Sequence, residues 1–276
     1  MVFTVAAMCR VLPVSRSGYY AWKRAPESRR AAENRRLEAD IQRLFDDHRG
    51  RYGAPRITLD LQAEGWRVSR RRVAQRMRAM GLRARAARRC KATTQSRHTL
   101  PVAPNRLEQD FTAAGPNQKW VADITYLWTG EGWLDLAVVL DLYSRTVVGW
   151  SMSERITREL VIAALTMAIF RRRPAPGLIL HSDRGSQYAA LDYQALLDQH
   201  GFLCSMSKKG DCYDNAAMES FFHTLKVEQV HGVRCQTREE ARADVFEYIE
   251  TYYNRKRRHS TLNYQSPWDF ETRMAA

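Results

Sequence analysis

Trp120-Val-Ala-Asp-Ile-Thr-Tyr-Leu-Trp128 has the aromatic and β-branched content of a strand, with one residue out of place. Asp123 stands mid-strand among Trp120, Val121, Ile124 and Tyr126, and a carboxylate in apolar surroundings is costly unless something pairs with it. The residues downstream say what kind of sheet this strand joins. Gly130-Glu-Gly132 is a turn, residues 134–142 form a second and more hydrophobic strand, and residues 146–151 a third. Residues 157–173 read as a helix, stopped by Pro174. A short buried strand over 178–183, a helix over 191–200 with Gly201 behind it, a strand over 202–207 and a helix over 215–230 complete the series.

The order β-β-β-α-β-α-β-α predicts an α/β fold, a ribonuclease-H-like mixed sheet with helices on both faces. Order alone supports a fold and not an activity. Three carboxylates stand out as carriers of chemistry. Asp123 is central in the first strand, Asp183 closes the apolar strand at its C-terminal end, and Glu219 lies on the last core helix between Met218 and Phe221–Phe222. The predicted fold brings these positions to one edge of the sheet, where they form a hard oxygen cluster suited to Mg²⁺ or Mn²⁺. Other acids have simpler readings. Asp192 and Asp198 fit a solvated helix face, and Asp211 and Asp214 precede a helix as N-caps. Asp135 and Asp141 lie on the second strand, and Asp141 is the next acid to consider. His181 and His223 read as structural because hard cations prefer oxygen. Trp120, Trp133 and Trp150 read as core, and Tyr126 and Tyr188 as packing residues rather than nucleophiles.

Upstream of the sheet the charge changes. The 276 residues carry a formal net charge of +14, but residues 1–100 alone hold 24 Lys+Arg against 8 Asp+Glu. So dense an arginine field calls for a polyanion, most simply nucleic acid. Within residues 1–50, Leu37, Ile41, Leu44 and Phe45 make an amphipathic helical stripe, and residues 14–22 read as half of a helical hairpin. From Tyr52-Gly-Ala-Pro-Arg-Ile57 a helix starts with Pro55 in its first turn; Ile57, Leu59 and Leu61 form its buried side. Gly65-Trp-Arg-Val68 is the turn, Ser69 caps the next helix, and Val68 and Val73 have the spacing of a hydrophobic staple. Val73, Met77 and Met80 face inward, whereas Arg70, Arg71, Arg72, Arg76 and Arg78 spread over the rest, and Gly81 ends the helix. This is a helix-turn-helix whose arginine-covered second helix enters the major groove. The expected division is a helical region over 1–50, the helix-turn-helix over 51–90, a basic linker over 91–112, the core over 113–232, and a C-terminal helix with a basic tail over 233–276.

The motifs also carry a resemblance. Trp120-x-x-Asp-Ile-Thr-Tyr126, His181-Ser-Asp-Arg-Gly-Ser-Gln-Tyr188 and Asp211-Cys-Tyr-Asp-Asn-Ala-Ala-Met-Glu-Ser-Phe-Phe-His-Thr-Leu-Lys226 resemble the catalytic blocks of insertion-sequence transposases of the IS-three family, relatives of retroviral integrases. Between Asp183 and Glu219 lie 35 residues, the family's spacing, and Lys226 matches its basic residue beyond the glutamate. Arg51-Tyr-Gly-Ala-Pro-Arg-Ile57 and Tyr253-Asn-Arg-x-Arg-Arg-His-Ser-Thr-Leu-Asn-Tyr-Gln-Ser-Pro267 resemble the same proteins' front and tail. The resemblance implies a polynucleotidyl transferase that cleaves DNA at element ends and joins the released 3′-hydroxyl to DNA. Asp123, Asp183 and Glu219 would hold two Mg²⁺ or Mn²⁺ ions, spaced about 3.5–4 Å in such sites. Lys226 would contact phosphate, and Arg184, directly after Asp183, would either touch phosphate or fix the loop. It further implies a bacterial cytoplasmic, nucleoid-associated protein, oligomeric on DNA. Its partner would be a first-reading-frame product or fusion segment, since no sustained heptad repeat is present.

The remaining features fit. Five scattered cysteines without a C-x-x-C pair argue against a disulfide framework and a cysteine zinc site. No stretch has the roughly 18 apolar residues of a membrane span, and no secretory signal is expected. Two other readings compete: a non-catalytic helix-turn-helix regulator, and a ribonuclease-H-like nuclease without strand transfer.

Overall fold

The computed structural model describes residues 4–25, 27–85, 102–208, 215–230 and 235–275. Asp211 and Asp214, and part of the expected linker, lie outside them. The chain divides into two compact units, Met1–Ala84 and Arg85–Ala276.

The first unit is helical: α1 (Val5–Val11), α2 (Arg16–Arg24), α3 (Arg29–Asp47), α4 (Ala54–Ala63) and α5 (Arg70–Ala79). Small hydroxyl residues start four of them. Thr4, Ser15, Ser28 and Ser69 each accept a backbone N–H from the first turn of α1, α2, α3 and α5. Leu37, Ile41 and Leu44 from α3, Ile57 and Leu61 from α4, and Val73 and Met77 from α5 are buried. Thr58 takes the buried place expected for Leu59, turning its hydroxyl to the Ala54 carbonyl at 2.6 Å. Gly65, at φ +94°, makes the turn that the helix-turn-helix needs, and Gly81, at φ +72°, ends α5. The arginines on α5 are not equivalent. Arg70, Arg71 and Arg78 are exposed. Arg72 donates to Glu33 and Asn34, both at 2.8 Å, and Arg76 to Glu38 at 3.1 Å, so these two hold α5 against α3.

The second unit is a ribonuclease-H-like mixed sheet in the order β3-β2-β1-β4-β5. Its strands are β1 (Lys119–Thr129), β2 (Gly132–Asp141), β3 (Val147–Ser153), β4 (Ile179–Ser182) and β5 (Leu203–Met206). β1, β2 and β3 form an antiparallel meander, while β4 pairs with β1, and β5 with β4, in parallel. α6 (Arg158–Arg172) and α7 (Leu191–Gln199) build a core with Trp120, Ala122, Ala137, Val139 and Val148 on one face. Gly149 lets α6 approach β3 directly, since a Cβ there would stand 2.2 Å from the Ala164 carbonyl oxygen. Val121, Leu136 and Val138 alternate to the other face, where α8 (Ala216–Leu225) and α9 (Arg238–Phe246) pack on β1. α8 and α9 each continue as a wider π-helical stretch, over Lys226–Val230 and Glu247–Tyr253.

The segment read as a basic tail joins the sheet unit. Arg257 is buried, paired with Glu228 at 2.8 Å, and Tyr248 donates to the same carboxylate. Asn254 bonds both the N–H and the carbonyl of Val147. α10 (Pro267–Ala275) brings Glu271 into a bidentate pair with Arg172, both contacts at 2.7 Å. Trp120 is core as expected, but Trp133 is half exposed. It stands one residue from the β1–β2 turn, edge-on to Tyr126 and Trp128 and outside the α6/α7 core. No described helix is long and apolar enough to cross a membrane.

Candidate active site

The parallel register explains the site. Lys119 pairs with Ile179 and Ala122 with Ser182, so Asp123, the next residue of β1, stands beside Asp183, the first residue past β4. Asp123 is half-buried on β1, and Asp183 begins the loop after β4. Its Oδ1 accepts the Gly185 N–H at 2.9 Å. A Cβ at Gly185 would meet Gln187 Oε1 at 2.6 Å and Asp183 Oδ1 at 3.0 Å, so a larger residue there would press on the Asp183 carboxylate.

Glu219 arrives on α8. Ala217, Met218, Phe221, Phe222 and Leu225 bury that helix against the sheet, and Glu219 stands exposed beside this stripe. It is therefore not in apolar surroundings, unlike the sequence expectation. Its charge still reaches Asp123. Burial, the Asp183 carboxylate and the Glu219 carboxylate together push the Asp123 carboxyl up to about 8, against the Ile124 N–H bond and Lys226. Asp123 Oδ1 accepts that N–H at 2.7 Å, and Oδ2 accepts Asn215 Nδ2–H at 3.0 Å.

The surrounding residues hold this corner in shape. Tyr188 is buried, packs edge-on against Tyr193 at 5.4 Å, and its hydroxyl is pushed well up by burial and by Asp123 and Asp183, so it stays neutral. His181 bridges Ser205 and Ser207 through its two ring nitrogens, at 2.8 and 3.1 Å, in the structural role expected of it. Arg184 Nε donates to the Ser207 carbonyl at 2.6 Å and so fastens the loop that carries Asp183. The Lys226 ammonium lies 4.7 Å from the centre of the Tyr126 ring, at the point where α8 gives way to its π-helical continuation.

Asp141, the strongest rival acid, has another task. It is fully buried at the end of β2, where Oδ2 accepts from the Asn117 N–H and the Trp120 indole and Oδ1 from the N–H groups of Tyr143 and Ser144. Four donors saturate it as the anchor of the β2–β3 turn.

Among the described residues, no group of three His, Cys, Asp or Glu side chains forms a ready-made metal cage. The donor chemistry at this corner nevertheless suits a hard divalent cation, with a carboxyl that burial first, and the Asp183 and Glu219 charges next, hold back from ionising. Asn215 adds a second sign. Its side-chain oxygen is buried and has no hydrogen-bond donor among the described residues. Sequence reasoning passed over Asn215, although it stands one helical turn before Glu219 in the quoted motif.

Known proteins agree with this architecture. The HTH-like domain family matches residues 32–90, and two integrase core domain families match residues 113–212 and 219–274. Transposase InsF for insertion sequence IS3A of Escherichia coli (strain K12) is 51% identical, over 99% of this chain and 96% of its own length. An uncharacterized 31 kDa protein of insertion element IS600 from Shigella sonnei is 48% identical, over 95% of this chain and 97% of its own. Among solved structures, a chain of the simian T-cell lymphotropic virus intasome aligns with a TM-score of 0.48 at 16% identity, covering 84% of this chain and 74% of that one. With helix-turn-helix and integrase core in one order along the sequence, the chain belongs to the IS-three family of insertion-sequence transposases.

Proposed function

We propose that this transposase cleaves DNA at its element's ends and transfers the released strand by divalent-metal chemistry, with Asp123, Asp183 and Glu219 as ligands. One observation carries the reading: the β1–β4 register sets Asp123 beside Asp183, on the strand against which the Glu219 helix packs. Mg²⁺ or Mn²⁺ bound there, two ions in all, would activate the attacking oxygen and stabilise the leaving 3′ oxygen. The protein's own residues prepare the place. Ile124 and Asn215 fix the rotation of the Asp123 carboxylate, and Gly185 and Arg184 fix the loop of Asp183. Lys226 draws a phosphate toward the carboxylates and offsets their repulsion of it, with Arg184 as a second contact on the loop side.

The first unit supplies grip. Arg70 and Arg71 open the second helix of the helix-turn-helix and face outward for DNA phosphates and bases, while Arg72 and Arg76 keep that helix in place. The protein works in the bacterial cytoplasm on nucleoid DNA, as an oligomer assembled on element ends, together with the first-reading-frame product or fused to it.

The test uses a labelled duplex carrying an element end, with the protein supplied alone and with its first-frame partner. Nicked and joined strands should form only with Mg²⁺ or Mn²⁺ and fall by orders of magnitude in Glu219→Gln. Activity that survives this change would remove Glu219 from the centre. Binding with no chemistry under any condition would instead support a regulator, and nicking without joining a plain nuclease.

A further inference from the structure

We propose that Asn215 is a positioning residue for the cation site, a residue that locks the Asp123 carboxylate and ties it to the helix bearing Glu219. The inference rests on the reading of Asp123, Asp183 and Glu219 as metal ligands. Three observations support it. Asn215 is buried at the start of α8, where an asparagine ordinarily caps the helix with its own side-chain oxygen, yet its side chain makes no cap bond. Its amide Nδ2–H is instead given to Asp123 Oδ2 at 3.0 Å, across from the Ile124 N–H on Oδ1 at 2.7 Å. Each oxygen of Asp123 therefore receives one fixed donor and keeps lone-pair capacity for a cation. The Asn215 Oδ1 is buried without a donor among the described residues. A buried acceptor of this kind is costly to leave unmet, and water within a loaded site is a donor that meets it.

The position on the helix gives the contact its reach. Glu219 follows Asn215 by four residues, one helical turn on the same side. Anchoring Asn215 to Asp123 thus sets where α8 begins relative to β1, and with it where Glu219 can stand. The amide also discriminates. It donates to a carboxylate and carries no charge of its own, so it orients Asp123 without competing for the cation.

The test compares Asn215→Leu, which keeps the volume and removes both polar atoms, with Asn215→Ser and with Asp123→Asn. Full-length proteins are titrated with Mn²⁺ alone and followed by electron paramagnetic resonance, and their melting is recorded in chelator. Asn215→Leu should fold and melt at or above the wild-type temperature, yet bind Mn²⁺ about tenfold to hundredfold more weakly. Asn215→Ser, which retains a short hydroxyl, should fall between them. In strand cleavage the loss should appear in kcat, with KM for DNA unchanged. If Asn215→Leu misfolds, Asn215→Ser carries the same comparison. Asp123→Asn separates the two failures. Mn²⁺ affinity lost in Asp123→Asn but unchanged within twofold in the folded Asn215 variants would overturn the role of Asn215 alone. Mn²⁺ affinity unchanged in Asp123→Asn, or absent in the wild type, would overturn the metal reading and this inference with it.

Discussion

Asp123 is half-buried on a strand, with the charges of Asp183 and Glu219 acting on it. Its carboxyl is raised to about 8 in the folded chain, whereas it ionises at its ordinary value near 3.8 when unfolded. The folded state therefore binds the extra proton across roughly pH 4–8, and the stability of the metal-free protein falls as pH rises through that window. Asp123→Asn removes the titration. In chelator it should melt close to wild type at pH 4 and higher at pH 9, by on the order of 5–10 °C for a few kcal/mol in a unit of this size. Added Mg²⁺ should raise the wild-type melting temperature at pH 9 and leave the variant unmoved. An equal melting temperature for both proteins at pH 9 would mean that the corner is better solvated than its packing implies. Asp123 was legible in the sequence because it interrupts an apolar strand, and Asp183 because it ends one. Glu219 is exposed, so its place between Met218 and Phe221–Phe222 did not mean burial, and the 35-residue spacing and the surrounding motif mark it more firmly. Asn215 was missed because an asparagine before a helix has an ordinary explanation, which the structure does not use.

At the scale of elements, the meander and its alternating helices followed directly from composition and turns, and their limits agree within two residues except for the last helix, whose α-helical part stops at Leu225. What periodicity could not supply was the π-helical widening after α8 and α9, which leaves the apolar stripe nearly unchanged while shifting the backbone. It also could not tell a strand's covered half from its bare tip, hence the exposed Trp133. The close contact between α6 and β3 depends on one missing side chain. Gly149→Ala should force α6 outward, because its methyl would meet Ala164 oxygen and the backbone nitrogen and Cβ of Ala168. Such overpacking costs about 1–3 kcal/mol, and chemical denaturation should read the loss at an unchanged slope. A neutral result would show that α6 slides without penalty.

For the molecule as a whole, the split in charge was visible at once, but its use was not. In the sequence the arginines of the second helix look alike, because the acidic partners of Arg72 and Arg76 on α3 lie 39 and 38 residues upstream, beyond any local pattern. The structure pairs Arg72 and Arg76 with α3 and leaves Arg70, Arg71 and Arg78 exposed. Arg70→Ala and Arg71→Ala should each weaken duplex binding and reduce the slope of log affinity against log salt by about 0.9, with stability unchanged. Arg72→Ala should lower the melting temperature, since it unpairs Glu33 and Asn34, and leave the salt slope nearly alone. Slopes that fall equally in all three variants would erase this division of labour.

Arg257 with Glu228, Asn254 with Val147 and Glu271 with Arg172 stitch the C-terminal residues into the sheet unit. A mobile element decays by accumulating nonsense changes, and a late stop codon in many genes leaves a shortened protein that still occupies its target. Here the same lesion would strip an ion-pair partner from the interior and send the remnant to the proteases. Damaged copies of this element would thus fall silent instead of poisoning their intact siblings.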